Sequence, residues 1–425
     1  MTKPIRGSVR LPGDKSISHR ALICAAMAAG DSRLTGLGRG TDVGATTACL
    51  SRLGATLELS DDRSAARVSG VGERWFREPA QALDCGNSGT AMRLLAGVAA
   101  SVEGLSILTG DESLARRPMG RVTDPLRAMG AAIDGRDGGR LPPLVVRGGR
   151  LTGINHRLRV PSAQVKSALI LAGLRAEGRT TITEPLPSRD HTERMLTAAG
   201  VEVVTGEDSV AVIGGGRPEP MDLSIPGDIS SAFFLIAAAV TVPRSDLEIL
   251  DVGLNPGRIG GLEVLARMGA EITWAITGTT GGEPLGSVSA RTSDLAGVEI
   301  PAAAVPGAID ELPMLAVLAT QATGTTTIRG AAELRVKESD RIQAVTEGLR
   351  ILGARVEETS DGMSISGPCR LTGGQVDAHG DHRVAMAFAV ANLIAKGEVR
   401  IKGWSSVETS FPEFLDLLGR ARGNR

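Results

Sequence analysis

The chain has 425 residues, enough for two to three domains with ample hydrophobic core. Six Phe, three Trp and no Tyr argue against a nucleic-acid reader that stacks bases on aromatic rings. The 47 basic and 48 acidic residues leave a net charge of −1, so no global positive field attracts a polyanion and any anion site must be local.

From the N-terminus, MTKPIRGSVRLPGD has no apolar signal core, and IRGSVRLP reads as a strand. No run of about 18 residues is apolar without a charge or glycine, so a membrane span is not expected and a cytoplasmic protein is. Cys24, Cys49, Cys85 and Cys369 are scattered without a C-x-x-C pair and read as reduced thiols.

Six segments then follow one plan, a polar residue opening an Ala/Leu-rich helix: GDKSISHRALICAAMAAG, GNSGTAMRLLAGVAA, SAQVKSALILAGL, GDISSAFFLIAAAV, IDELPMLAVLATQATG and GDHRVAMAFAVANLIAKG. Anchored on Asp14, Asn87, Gln164, Asp228, Asp310 and Asp381, they are 73, 77, 64, 82 and 71 residues apart, an internal repeat. A second marker runs in phase, a helix end followed by a strand, with Gly54, Gly130, Gly200, Gly269 and Gly353 where a C-cap needs a left-handed residue. The helices so closed include RPMGRVTDPLRAMG, SRDHTERMLTAAG and KESDRIQAVTEGLRILG. Each repeat reads as strand, buried helix, strand, amphipathic helix and strand pair.

The sixth repeat stops at RARGNR without its last strands, and the N-terminal strand is expected to close it. Chain crossings are expected at Pro12-Gly13-Asp14 and Pro226-Gly227-Asp228. These give an α/β protein of two domains with three repeats each, 14–226 and 1–13 plus 227–425, the active site lying in the cleft between them.

The first helix of each repeat is apolar almost all round but opens with polar residues such as Lys15, Ser16, Thr90, Gln164 and Arg383. Plain N-capping accounts for Asp, Ser and Asn there. It does not account for Arg20, Arg117, Lys337, Arg341 and Arg383, and several helix N-termini facing one cleft would trap anions. Of the 47 basic residues six are lysine, two of them, Lys15 and Lys337, in the densest polar motifs; Lys166 could equally be a solvated helix residue. GDKS fails as a P-loop, because Asp14 and Val9 stand where glycines are required, and GLGRGT lacks the third glycine of a dinucleotide fingerprint. His379-Gly-Asp-His382 is too short for a metal site, and His382 reads as a helix cap or anion ligand. Acid–base candidates are Asp310-Glu311, at a helix head whose dipole favours ionised carboxylates, and the cluster holding Lys337, Glu338 and Arg341, expected on neighbouring helical positions.

Together LPGDKSISHRAL, GNSGTAMRLLAG, RPMGRV, PSAQVKSALILAGL, SRDHTERML, PGDISSAFFL, IDELPMLAV, LRVKESDRI, GDHRVAMAF and TSFPEF, in this order from residue 11 to about 415, resemble the 3-phosphoshikimate 1-carboxyvinyltransferase (EPSP synthase) family of enolpyruvyl transferases. The resemblance implies an inverse α/β barrel-like fold of six βαβαββ repeats, three per domain. It also implies transfer of the enolpyruvyl group of phosphoenolpyruvate to 3-phosphoshikimate, with release of phosphate, on the chorismate route to aromatic amino acids. It implies no metal or organic cofactor, no nucleic-acid or membrane partner, and a monomer acting on small molecules. Lys15, Ser16, Arg20, Ser162, Ala163, Gln164, Ser188, Asp310 and Lys337 would hold 3-phosphoshikimate. Lys15, Gly89, Arg117, Gln164, Arg341, His382 and Arg383 would hold phosphoenolpyruvate. Asp310 would be the base for the 5-hydroxyl and Glu338 the proton donor to the methylene, with Lys337 or Lys15 assisting. The chain departs from the family's frequent pattern at His191 (often Tyr), Ala163 (often Ser), Glu333 (often Asn) and Thr409-Ser410, where a Lys often precedes Phe-Pro. The sister transferase acting on UDP-N-acetylglucosamine relies on a Cys before its Arg-Pro motif, and TGDESLARRPMG has none.

Overall fold

The structure is a computed structural model describing residues 3–423. Its contacts divide the chain into two compact units: one runs from Gly13 to Ile225 and includes the segment Thr279–Glu283, and the other takes the N-terminal segment through Pro12, Pro226–Gly278 and the chain from Pro284 onward. The short segment Thr279–Glu283 was assigned by sequence to the second domain; its contacts place it with the first unit. There Thr280 donates to Ser224 O at 2.7 Å.

Twelve helices carry the repeats, in chain order α1 (Lys15–Met27), α2 (Thr41–Arg52), α3 (Gly89–Ala100), α4 (Gly120–Ala128), α5 (Ala163–Gly173), α6 (His191–Ala198), α7 (Ile229–Thr241), α8 (Gly260–Arg267), α9 (Leu312–Ala319), α10 (Arg341–Ile351), α11 (His382–Ile394) and α12 (Phe414–Ala421). The odd-numbered helices are buried on nearly every face and form the two cores. The even-numbered ones are amphipathic. Gly419 lies inside α12, whereas α2, α4, α6, α8 and α10 end where expected, with Gly54, Gly130, Gly200, Gly269 and Gly353 all at positive φ. A left-handed residue there lets the chain turn from helix into strand without a Cβ clash. All four cysteines are free, and among the described residues no single helix is long and apolar enough to cross a membrane.

Five repeats form a four-stranded sheet of one topology. In the second, Leu83–Asp84 lies parallel to Gly104–Thr109, which pairs antiparallel with Leu141–Gly148, itself antiparallel to Ala132–Gly135. The buried helix is the crossover between the two parallel strands, as a parallel pair requires.

The N-terminal strand departs from expectation. Arg6–Arg10 pairs parallel with Asp246–Gly253 of the fourth repeat, and so does not close the sixth, which keeps a two-stranded sheet, Thr372–Asp377 with Lys396–Lys402. Reciprocally, Asp222–Ser224, just ahead of α7, pairs with Asp31–Thr35 of the first repeat. Each strand that leads into a crossing thus completes the sheet of the unit the chain is leaving. A three-repeat unit has one edge vacant in its first sheet, and a strand already within that unit is the one able to fill it.

Small residues let the buried helices approach closely. A Cβ at Gly97 of α3 would lie 2.2 Å from the backbone oxygen of Ala168 in α5, where the obstacle is backbone and cannot rotate aside. Gly97→Ala is expected to destabilise the 13–225 unit by about 1–3 kcal/mol through overpacking; a urea midpoint equal to the parent's would show that the helices separate freely.

Candidate active site

In the 13–225 unit the heads of α1, α3 and α5 are tied to one another. Asp14 caps α1, accepting from Ile17 N at 2.9 Å, so Lys15 and Ser16 fall in its first turn and Arg20 one turn later. Arg20 is buried and donates to Thr192 Oγ1 (2.7 Å), Ser167 Oγ (2.8 Å) and Ser16 O (2.9 Å), linking α1 to α5 and α6. Burial lowers its pKa to about 10. Lys15 Nζ donates to Asp42 Oδ2 at 3.2 Å, at the start of α2.

Ser162 caps α5, and the adjacent Gln164 bridges α5 to α3, donating to Thr90 Oγ1 (2.9 Å) and accepting from Arg93 Nη1 (2.6 Å). Arg117, ahead of α4, donates to Asn87 Oδ1 at 2.7 Å. A Cβ at Gly89 would lie 2.8 Å from Arg93 Nη1 and 3.2 Å from Arg117 Nη1, so glycine leaves the α3 head open beside two guanidiniums. Ala163 offers only its backbone, and its carbonyl accepts from Ser167 Oγ at 2.6 Å.

Lys166 is not the solvated residue the sequence allowed. It is buried between Glu184 (2.7 Å) and Glu193 (2.8 Å). Burial works against its charge, but the two carboxylates outweigh it and its pKa is raised. Glu184 also accepts from the Ser188 hydroxyl, so Ser188 is oriented by the same pair. His191 is buried against Glu283, Nδ1 to Oε1 at 2.7 Å.

His19, on the same helix as Lys15, is fully buried with Nδ1 2.6 Å from Thr46 Oγ1. Burial, aided by Lys15 and Arg20, lowers its pKa to about 3. Below pH 6.5 the unfolded chain takes up a proton that the folded one refuses until about pH 3, so stability falls as pH drops through that window, by up to about 1.4 kcal/mol per pH unit. His19→Asn, which cannot titrate, is expected to flatten this dependence. Urea denaturation at pH 7 and pH 4.5 checks it, and an undiminished pH dependence in the variant refutes it.

In the other unit the heads of α7, α9 and α11 are likewise joined, but by carboxylates and guanidiniums. Asp228 caps α7, accepting from Ser230 N, and Asp381 caps α11, accepting from Arg383 N, each at 2.9 Å. Arg341, 1% exposed, holds Asp381 Oδ2 (2.7 Å), Glu338 Oε2 (2.6 Å) and Asp310 Oδ1 (3.4 Å). Burial opposes its charge, yet these three carboxylates more than compensate and raise its pKa. Arg383 Nε lies 3.3 Å from Asp310 Oδ1, and Arg258 Nη1 3.2 Å from Asp310 Oδ2. Glu311 accepts from Ser230 Oγ, and burial raises its pKa despite Arg258. The helix dipole therefore does not keep Glu311 in the ordinary carboxylate range. His382 is buried at the first position of α11.

Two expectations are corrected here. Lys337 and Glu338 are not helical neighbours of Arg341, because α10 begins at Arg341 with Asp340 as its cap, and the two precede it in a loop after the 3-10 turn Ala332–Val336. The Asp340 side chain, accepting from Gln343 N at 3.0 Å, starts the helix later than the apolar periodicity suggests. The helix heads of this unit are also not a bare anion trap, since Asp228 and Asp381 already occupy two of them. Among the described residues no group of three or more His, Cys, Asp or Glu side chains is placed to hold a metal ion.

The sequence reading missed Arg258, Arg93, Asp42, Ser167 and Thr192. A signal for Arg258 was present in the repeat phase: Arg39, Arg117, Arg189, Arg258 and Arg341 each stand at the start of an amphipathic helix or within three residues before it.

The EPSP synthase (3-phosphoshikimate 1-carboxyvinyltransferase) family model matches residues 1–418. Among curated proteins, the 3-phosphoshikimate 1-carboxyvinyltransferase of Brevibacillus brevis is 49% identical over 98% of this chain and 97% of its own. That of Halorhodospira halophila is 51% identical over 98% and 94%. Among solved structures, EPSP synthase from Acinetobacter baumannii superposes with a TM-score of 0.88 at 42% identity, covering 99% of this chain and 96% of that one. The enolpyruvyl transferase NikO from Streptomyces tendae, at 20% identity and a TM-score of 0.79, shares the fold. Repeat architecture, helix-head chemistry and whole-length similarity agree, and the chain belongs to the EPSP synthase family.

Proposed function

We infer that the chain transfers the enolpyruvyl group of phosphoenolpyruvate to the 5-hydroxyl of 3-phosphoshikimate, forming 5-enolpyruvylshikimate 3-phosphate and phosphate. The observation that carries this reading, beside the family, is the division of labour between two helix-head clusters. One is rich in cations and hydroxyls around Lys15, Arg20 and Arg117. The other sets Asp310 among three guanidiniums. The first suits phosphates and carboxylates; the second suits proton transfer beside an anion.

In this reading Lys15, Ser16 and Arg20 hold the shikimate phosphate, while Ser162, Ala163, Gln164, Ser188 and Lys337 orient the ring. Lys15, Gly89, Arg117, Gln164, Arg341, His382 and Arg383 hold phosphoenolpyruvate. Glu338 protonates the methylene carbon, Asp310 takes the 5-hydroxyl proton, and the oxygen attacks the resulting cationic carbon. The tetrahedral adduct then loses phosphate and a methyl proton to regenerate the vinyl group. Glu338 starts paired to Arg341 at 2.6 Å, which favours its ionised form. When Arg341 turns to the substrate anion, Glu338 loses that partner and takes up a proton more readily, which loads it as the donor. The chain works as a cytoplasmic monomer.

The test is phosphate release from phosphoenolpyruvate with and without 3-phosphoshikimate. Release that requires the shikimate supports the reading. Release independent of it, or dependent instead on UDP-N-acetylglucosamine, overturns it.

A further inference from the structure

Asp310 is held differently at its two oxygens. Oδ1 faces Arg341 (3.4 Å) and Arg383 (3.3 Å), both assigned above to the phosphoenolpyruvate anion. Oδ2 faces Arg258 (3.2 Å), which lies in the Asn255-Pro256-Gly257-Arg258 turn ahead of α8 and is 4% exposed. Within the protein, Arg258 Nη2 is engaged on Ser230 Oγ (2.7 Å) and on Asp228 Oδ1 (3.2 Å). Asp228 in turn caps α7, and Ser230 is bonded to Glu311 beside Asp310.

We propose that Arg258 is the positioning residue of the proposed base, fixing Asp310 through Oδ2 while Oδ1 is freed to receive the substrate proton as Arg341 and Arg383 engage the anion. This rests on the assignment of Asp310 as base. A carboxylate released by two guanidiniums and held by none would be free to rotate. One retained guanidinium, itself held by Ser230 and Asp228 through Nη2, keeps its second oxygen aimed, and a planar fork bound at three acceptors does this where an ammonium cannot. Arg258 also keeps one positive charge beside Asp310 after the others have moved. The charged groups around the carboxylate are then Arg258 from the turn before α8, Asp228 at the head of α7, Glu311 next to it in sequence, Lys337, Glu338 and Arg341 at the start of α10, and Asp381 and Arg383 at the head of α11. Arg258 contacts Asp310 and is given no substrate contact in the proposed mechanism.

The sign of the pH effect follows. A guanidinium favours the ionised carboxylate, so its removal makes Asp310 hold a proton to higher pH, and the acid limb of the kcat/KM profile moves upward. Arg258→Gln is expected to move that limb up by about one pH unit and to lower kcat by about tenfold or more, with the KM for each substrate within about threefold of the parent's. Arg258→Lys keeps the charge and loses the fork, so its acid limb stays in place while kcat falls. An unmoved limb in Arg258→Gln, or parental kcat in Arg258→Lys, overturns the proposal. If Arg258→Gln does not fold, Arg258→Lys decides alone, because a merely structural arginine would give parental kcat in the folded lysine variant. Asp310→Asn, measured alongside, separates the two failures: normal turnover there removes the base assignment, whereas lost turnover with an unaffected Arg258 variant removes this proposal only.

Discussion

Asp310→Asn is expected to lower kcat by about a hundred- to ten-thousand-fold, the range that a positioned general base contributes, with 3-phosphoshikimate still bound. The amide keeps the size of the carboxylate and its carbonyl oxygen can still accept one guanidinium, so the α9 head should stay in place. It cannot take up the 5-hydroxyl proton, and it removes the negative charge that Arg258, Arg341 and Arg383 share. Binding and chemistry therefore separate. Calorimetry should give a 3-phosphoshikimate Kd within a few-fold of the parent's, while steady-state phosphate release should be almost lost. Turnover within about tenfold of the parent would remove Asp310 from the role of base and transfer the search to Glu311, whose buried carboxyl has a raised pKa.

The second large effect is on stability. Arg341→Met should cost about 3–5 kcal/mol, the expected loss when one partner of a buried ion cluster is removed. Arg341 is 1% exposed and Asp381, on which it sits, is fully buried. Glu338 and Asp310 lose the same partner, so three carboxylates are left where water cannot fully replace the guanidinium. Methionine fills the volume but offers no donor. Arg341→Lys should retain part of the stability, because an ammonium reaches one or two of the three carboxylates. Urea denaturation of the two variants beside the parent checks the order. A methionine variant within about 1 kcal/mol of the parent would mean that the carboxylates find other donors.

The two predictions differ in what the sequence could foresee. Asp310 and Arg341 were both legible as candidates, because each sits at a helix start in a repeat whose period was countable. Their contact was not legible, since 31 residues separate them and nothing local says which oxygen meets which guanidinium. Arg258 lay closer to hand than its omission suggests: its place before an amphipathic helix matches that of Arg117, but its turn, rich in Pro and Gly, reads as ordinary loop. Lys166 shows the opposite error. A lone lysine in an Ala/Leu-rich helix resembles a solvated residue until Glu184 and Glu193 arrive from other elements to bury it.

By itself the sequence determined the repeat, the alternation of buried and amphipathic helices, the glycine C-caps and the family, because each of these is written in local periodicity, in short-range capping chemistry or in residues matched one by one. Tertiary structure alone decided which sheet the N-terminal strand completes, where α10 begins relative to Lys337 and Glu338, and how the charges pair. Strand choice depends on which sheet edge is vacant in the folded unit, and charge pairing depends on helix heads brought together from segments about 70 residues apart. Neither is encoded at the range over which propensity and periodicity act.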